Sequence, residues 1–97
     1  MIRHTVCFKL HDSSTESKNE ARKVLLSMAG NVPMMRGIDV GCDFLCSERS
    51  YDVILNVLLD DENALEEYQK DKYHCEVVKE YMHRVMKSSV AIDICLD

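Results

Sequence analysis

Two ring-bearing residues in the segment EYQKDKYHCEVV, residues 67–78, have the types and spacing that suit acid–base chemistry. His74 stands where an amphipathic helix is predicted to begin, and Tyr68 precedes it by six residues. A neutral imidazole suits proton abstraction next to a carbonyl, and the dipole at a helix start disfavours the imidazolium form. We therefore predict His74 as a general base, with the Tyr68 hydroxyl orienting that ring or a bound carbonyl. The alternative is that both side chains fill the core, with His74 hydrogen-bonded locally.

A third candidate is His4, in the opening segment IRHTVCFKL. Apolar residues alternate along this segment as in a strand, and the alternation places His4 on the same side as Val6 and Phe8. If that side faces the helices, His4 and His74 converge on one pocket although 70 positions separate them. The alternative is a core histidine whose hydrogen bonds are satisfied locally.

Four strands and two helical regions are predicted to position these residues. Ser13 and Glu16 form a capping box that starts the first helix, and Gly30 and Pro33 follow its end. The second helical region is broken in two, with an apolar stripe that resumes at His74 and continues through Val77, Val78, Tyr81, Met82, Val85 and Met86. The second strand is predicted to carry Ile38, Val40, Cys42 and Phe44 on one side, and the last strand is the alternating run SSVAIDICLD, residues 88–97. The order strand, helix, strand, strand, helix, strand predicts an α+β, ferredoxin-like βαββαβ fold, a four-stranded antiparallel sheet with helices on one face.

The segment YDVILNVLLD carries apolar residues on both sides of its predicted strand. Ile54 and Leu58 then lie on the sheet face that the helices leave uncovered, where an apolar surface is costly in water. A two-fold homodimer through that face is the simplest way to bury it.

Length and composition narrow the functional classes. The 97 residues fit one domain, residues 1–97, and the net charge of −5 makes nucleic acid an improbable partner. No apolar run approaches the roughly 18 residues that a membrane-spanning helix needs, and no signal peptide is evident. Five cysteines, an odd number, indicate reduced thiols and a cytoplasmic protein. Cys42 and Cys46 have no second ligand pair at a zinc spacing, so no metal is predicted.

Several segments together resemble the stress-responsive dimeric α/β-barrel family, the Dabb family. They are MIRHTVCFKL, VPMMRGIDVG, SERSYDV, ENALEEYQ and VAIDICLD, and the resemblance runs from Ile2 to about Asp93. It implies a ferredoxin-like subunit, two of which place their sheets face to face as a barrel. It also implies a cavity within each subunit, between sheet and helices.

One group in that family, the olivetolic acid cyclase-like polyketide cyclases, carries out an aldol condensation without a cofactor. The resemblance implies that its catalytic histidine matches His74, its first-strand histidine His4, and its pocket tyrosine Tyr68. A further pocket tyrosine falls near Leu25 and is missing here. Lys72 and Tyr73 replace a proline and a small residue that often precede the family's helix histidine.

Two functions therefore stay open. The first is a cofactor-free enzyme that binds a small carbonyl or aromatic compound in the cavity, with His74 as base and His4 and Tyr68 beside it. The second is a non-catalytic homodimer that binds a ligand or has a stress-related role. The sequence does not decide whether the chain is an enzyme, and it calls for no cofactor.

Overall fold

The computed structural model describes residues 1–96 as one antiparallel sheet with helices packed on one face. The helical region after the third strand includes a π-helical segment that runs directly into the last helix. The elements are β1 (Ile2–Leu10), α1 (Thr15–Leu26), β2 (Gly37–Cys42), β3 (Val53–Leu59), α2 (Glu62–Lys70), the π-helical segment (His74–Lys79), α3 (Glu80–Val85) and β4 (Met86–Cys95).

The sheet order is β2-β3-β1-β4, and every neighbouring pair is antiparallel. This order, with helices on one face, confirms the ferredoxin-like βαββαβ fold expected from the pattern of strands and helices. Because β1 is central, His4 lies opposite Val57 on one side and Asp93 on the other. The first candidate residue is thereby fixed in the middle of the sheet.

The core lies between the sheet and the helices. Alternate residues of β1 and β3 point into it, as the period-two pattern predicts. Its most deeply buried side chains come from both layers and include Leu10, Ala21, Leu25, Met28, Val57, Leu59 and Tyr68.

The first helix begins one residue later than the capping-box prediction. Ser14, not Ser13, is the N-cap, and its hydroxyl oxygen accepts a hydrogen bond from the backbone N–H of Ser17 at 3.2 Å. The two neighbouring serines offer the same cap chemistry, so composition alone does not choose between them.

The second helical region is broken as predicted, but its second half is not a plain α-helix. The helix α2 ends at Lys70, and the side chain of Asp71 then accepts the backbone N–H of His74 at 3.0 Å. A π-turn inserts extra residues into the helical ladder and shifts the side chains that follow. Val77, predicted on the apolar stripe, is consequently 43% exposed, whereas Val78 is buried.

Two boundary predictions differ from the structure. Phe44, expected on the apolar side of β2, lies beyond the end of that strand at Cys42 and is 92% exposed. Met86, expected on the helical stripe, is the first residue of β4. The predicted last strand also reached Asp97, which lies outside the described residues.

The sheet face away from the helices is apolar. Ile54, Val90, Ile92 and Ile94 lie on it, and each is more than a third exposed in the single chain. Leu58 is partly buried on the same face, opposite Gly37. Within residues 1–96, no helix has the length and apolar character to span a membrane.

Candidate functional site

An open cavity of about 220 Å³ lies between the sheet and the second helical region. Strands β1 and β4 form its floor, while α2, the π-helical segment and α3 form its walls. An apolar cavity of about 150 Å³ holds benzene, so this one has room for a single small ring with substituents. Much of its surface is apolar, with contributions from Phe8, Leu25, Val78, Met82 and Met86.

His74 lies in the wall of this cavity, at the first position of the π-helical segment. The carboxylate of Asp71 holds its backbone N–H, which fixes where the segment begins. Its imidazole stacks on the ring of Tyr68, with centroids 4.3 Å apart and planes 25° apart. Within residues 1–96, its Nδ1 is the one buried side-chain nitrogen or oxygen without a hydrogen-bond partner.

The surroundings of His74 favour the neutral ring. Burial lowers its pKa below the ordinary 6.5, and the positive charge of Lys79 lowers it further. The backbone of Tyr68 and the carboxylate of Asp71 act in the opposite direction without cancelling the effect. The imidazole is therefore neutral at physiological pH and has a lone pair available to accept a proton.

Tyr68 is 1% exposed, and its ring rather than its hydroxyl meets the histidines. The hydroxyl donates to Sδ of Met28 at 3.8 Å, on the core side of the ring. Burial, and to a smaller extent the charge of Asp71, raises the pKa of Tyr68 far above its ordinary value. The phenol therefore stays protonated, and its ring lies between the core and the cavity.

His4 is almost fully buried and is paired with a carboxylate. Its Nδ1 lies 2.5 Å from Oδ1 of Asp93, the residue opposite it on β4. A carboxylate accepts hydrogen bonds, so Nδ1 carries the proton and Nε2 is left available to a bound molecule. The edge of the His4 ring also meets Tyr68, with centroids 5.6 Å apart and planes 64° apart.

A family model described as the stress responsive A/B barrel domain, Dabb, matches residues 2–96. The chain belongs to the Dabb family. The resemblance seen in the sequence is thereby confirmed over nearly the whole chain.

Solved structures place this Dabb chain among ferredoxin-like proteins. The Arabidopsis thaliana protein At3g17210 is 18% identical, with a TM-score of 0.84 over 100% of this chain and 96% of its own. A dimeric ferredoxin-like protein of unknown function from Thermobifida fusca is 21% identical, with a TM-score of 0.82 over 98% and 90%. The hydroxynitrile lyase of Passiflora edulis is 13% identical, with a TM-score of 0.76 over 99% and 93%. No curated protein matches this chain in sequence.

All three residues singled out in the sequence line the same cavity of this Dabb chain. Leu25, where the resemblance places a missing tyrosine, lines it as well. Tyr73, which replaces a small residue, donates its hydroxyl to Ser27 Oγ at 2.8 Å and so ties the π-helical segment to the end of α1.

Sequence reasoning missed several polar residues at the site. His83, to which no role was given, lines the cavity, as do Gln69, Lys79 and Ser89. Lys79 and His83 are four residues apart, a spacing that places both on one side of a helix, and this was the available signal. Asp93 was visible only as a polar residue in an apolar strand.

A metal site is not built from side chains in the described part of the chain. Within residues 1–96, no group of three or more His, Cys, Asp or Glu side chains lies close enough together to hold an ion. All five cysteines are free thiols.

Proposed function

We propose that this Dabb protein is a cofactor-free enzyme that binds a small carbonyl or aromatic compound in the cavity, with His74 as general base. The observation that carries the proposal is the meeting of His4, Tyr68 and His74 at one open, largely apolar cavity. Structural neighbours include a hydroxynitrile lyase and an antibiotic biosynthesis monooxygenase, which supports a catalytic use of the fold.

His74 would remove a proton from the carbon next to a substrate carbonyl. The lowered pKa keeps the His74 ring neutral. Because its buried Nδ1 has no hydrogen-bond partner among the described residues, the ring can change its orientation on ligand binding without breaking a hydrogen bond. Catalytic hydrogen bonds often tighten only on binding. A small movement of the His74 ring on ligand binding would let Nδ1–H donate to the nearby backbone of Tyr68, and the lone pair would then lie on Nε2.

His4 would provide the second polar group, with Asp93 positioning it. The carboxylate fixes the tautomer and the orientation of the imidazole, with the proton on Nδ1. Nε2 of His4 then has a free lone pair and can accept a hydrogen bond from a hydroxyl or enol group of the bound compound.

Tyr68 would act through its ring. The hydroxyl lies on the core side against Met28, so it is the stacked face that holds the His74 plane. This differs from the role that the sequence suggests, a hydroxyl pointing to the histidine or the substrate, and it makes Tyr68 a positioning residue.

We further propose that two chains form a homodimer through the uncovered sheet face, in the cytoplasm. Four exposed branched apolar residues lie on that face, and the Thermobifida fusca neighbour is described as dimeric. A reducing compartment suits the five free thiols.

Hydrogen–deuterium exchange tests the general base without knowledge of the whole reaction. The protein is incubated in D₂O with a panel of small β-dicarbonyl and aryl ketone compounds, and NMR follows deuterium entering the carbon next to the carbonyl. We expect the protein to accelerate exchange of at least one compound, and His74→Gln to reduce the acceleration by about 10²–10⁴-fold.

The matched control is His11→Gln, which changes an exposed histidine in the turn after β1 and should leave exchange unchanged. Acceleration that survives His74→Gln would contradict the assignment of the base. Compounds that bind in the cavity without any accelerated exchange would favour the alternative function, a non-catalytic ligand-binding homodimer.

A further inference from the structure

In the described part of the chain, the lining of the cavity includes one cationic side chain, Lys79, and no acidic one, although the chain is negative overall. The protein carries 17 acidic residues and a net charge of −5, yet none of the cavity-lining residues within residues 1–96 is Asp or Glu. Three of the four histidines of the chain and Lys79 line the same cavity. Clefts lined by one sign of charge concentrate ligands of the opposite sign.

Lys79 and His83 are the basic side chains of the lining that are exposed to solvent. Both are exposed and both line the cavity, so they lie at its opening, on adjoining turns of the π-helical segment and α3. Within residues 1–96, neither side chain makes a salt bridge or a hydrogen bond. The acidic neighbour Glu80 is already held by Arg84 at 3.0 Å.

The charge of Lys79 reaches into the site. It is one of the causes that lower the pKa of His74, so the ammonium lies close enough to the imidazole to interact with it electrostatically. Val78 and Met82 give the same wall an apolar surface.

We propose that the cavity selects small carboxylic acids, binding the carboxylate at its opening through Lys79 and His83 while the apolar part of the ligand packs against Val78, Met82 and Phe8. The lysine supplies charge, and the histidine supplies a directional N–H donor. The volume of about 220 Å³ restricts the apolar part to one ring or a short chain. This inference rests on the proposed function, because it names the ligand class of the same cavity.

Matched pairs of acids and amides test the inference directly. Phenylacetate, benzoate and hexanoate are each compared with the corresponding neutral amide, which has nearly the same shape. NMR titration of the His74 ring gives both the dissociation constant and the pKa of His74 in each complex. We expect each acid that fits to bind about tenfold more tightly than its amide, as a charge-assisted contact implies.

The acid and the amide should also differ in their effect on His74. A carboxylate offsets the charge of Lys79 and so raises the pKa of His74, whereas the amide cannot do so. The double variant Lys79→Gln with His83→Gln should abolish the preference for acids. Lys72→Gln removes the same charge from an exposed position outside the cavity lining and should leave the preference intact.

The outcomes separate this inference from the proposal on which it rests. Equal affinity for acid and amide, or a preference for acids that persists in the double variant, would overturn the carboxylate assignment while a small-ligand cavity stands. If no probe perturbs His74 in the wild-type protein, both the carboxylate assignment and the proposed small-ligand cavity fall.

Discussion

At the scale of the residue, two imidazoles contact one buried tyrosine ring. His74 is neutral because it is partly buried near Lys79, whereas His4 is held by the carboxylate of Asp93. Two chemically identical side chains thus have different surroundings, a partly buried position near a cation and a hydrogen bond to a carboxylate.

The protonation of His74 should affect folding stability. Its pKa in the folded chain lies below the ordinary 6.5, so between the two values the unfolded chain binds more protons. Stability should therefore fall as pH drops from about 6.5 through the lowered pKa, and this component should be absent in His74→Gln. Urea unfolding at a series of pH values measures it, and identical pH dependence of the two proteins would contradict the burial of a neutral ring.

The pairing of His4 with Asp93 should be visible by NMR and by kinetics. In Asp93→Asn the strongly downfield Nδ1 proton of His4 should disappear, since the charged acceptor is gone. Catalysed exchange should fall on the order of tenfold, with the loss in kcat rather than KM, because a positioning contact is removed and the cavity is kept. Glu20→Gln, on the exposed side of α1, is the control, and an unchanged Nδ1 proton in Asp93→Asn would refute the pairing.

The sequence predicted that His4, Tyr68 and His74 are candidate site residues, but it did not predict the contacts that they make. Alternation along β1 placed His4 on the apolar side of the strand, and helical spacing placed Tyr68 on the apolar side of one helix and His74 at the start of the next. Asp93 became a partner only through the register between β1 and β4, which a single sequence does not contain. The direction of the Tyr68 hydroxyl was likewise set by packing against Met28.

At the scale of the element, the short break between α2 and the π-helical segment positions His74. Asp71 closes that break by accepting the backbone N–H of His74, and Tyr73 ties it to Ser27 on α1. A sequence stripe spaced at three and four residues could not reveal the π-turn, because the same apolar residues fit a regular α-helix. The hydrogen bond from Tyr73 to Ser27 on α1 is a tertiary contact at this segment that the sequence pattern does not contain.

Two substitutions at Asp71 separate its structural and electrostatic effects. Asp71→Asn keeps an oxygen for the His74 N–H but removes the charge that raises the pKa of His74, so that pKa should fall further. Asp71→Ala should lower the pKa in the same way and also destabilise the fold by about 1 kcal/mol, as the loss of a helix cap does. NMR titration and urea unfolding measure the two effects, and equal stability of the two variants would argue against the capping role.

At the scale of the whole molecule, the sheet has one covered and one uncovered face. The apolar residues on both sides of β3 predicted that the uncovered face is apolar. The strand order confirms the predicted ferredoxin-like fold. The charge pattern of the cavity could not be predicted in the same way. It depends on which sides of β1, the π-helical segment and α3 meet, and the helical spacing of Lys79 and His83 does not fix this.

The uncovered face should hold two chains together. Ile92, 65% exposed in the single chain, lies on it, so Ile92→Lys should convert the homodimer to monomer because the interface would bury an unpaired charge. Val77→Lys is the control, since Val77 is 43% exposed on the helix layer. Sedimentation equilibrium gives the mass of each protein. A wild-type monomer, or a dimer that tolerates Ile92→Lys, would contradict this interface.

The pH–rate profile of exchange, for the compound that exchanges fastest, tests the central claim most directly. The account predicts a rate that is constant above the lowered pKa of His74 and falls about tenfold per pH unit below it, because only the neutral imidazole accepts a proton. The profile should follow the pKa of His74 measured by NMR and should vanish in His74→Gln. A pH-independent rate, or one retained by His74→Gln, would contradict a histidine base in this cavity.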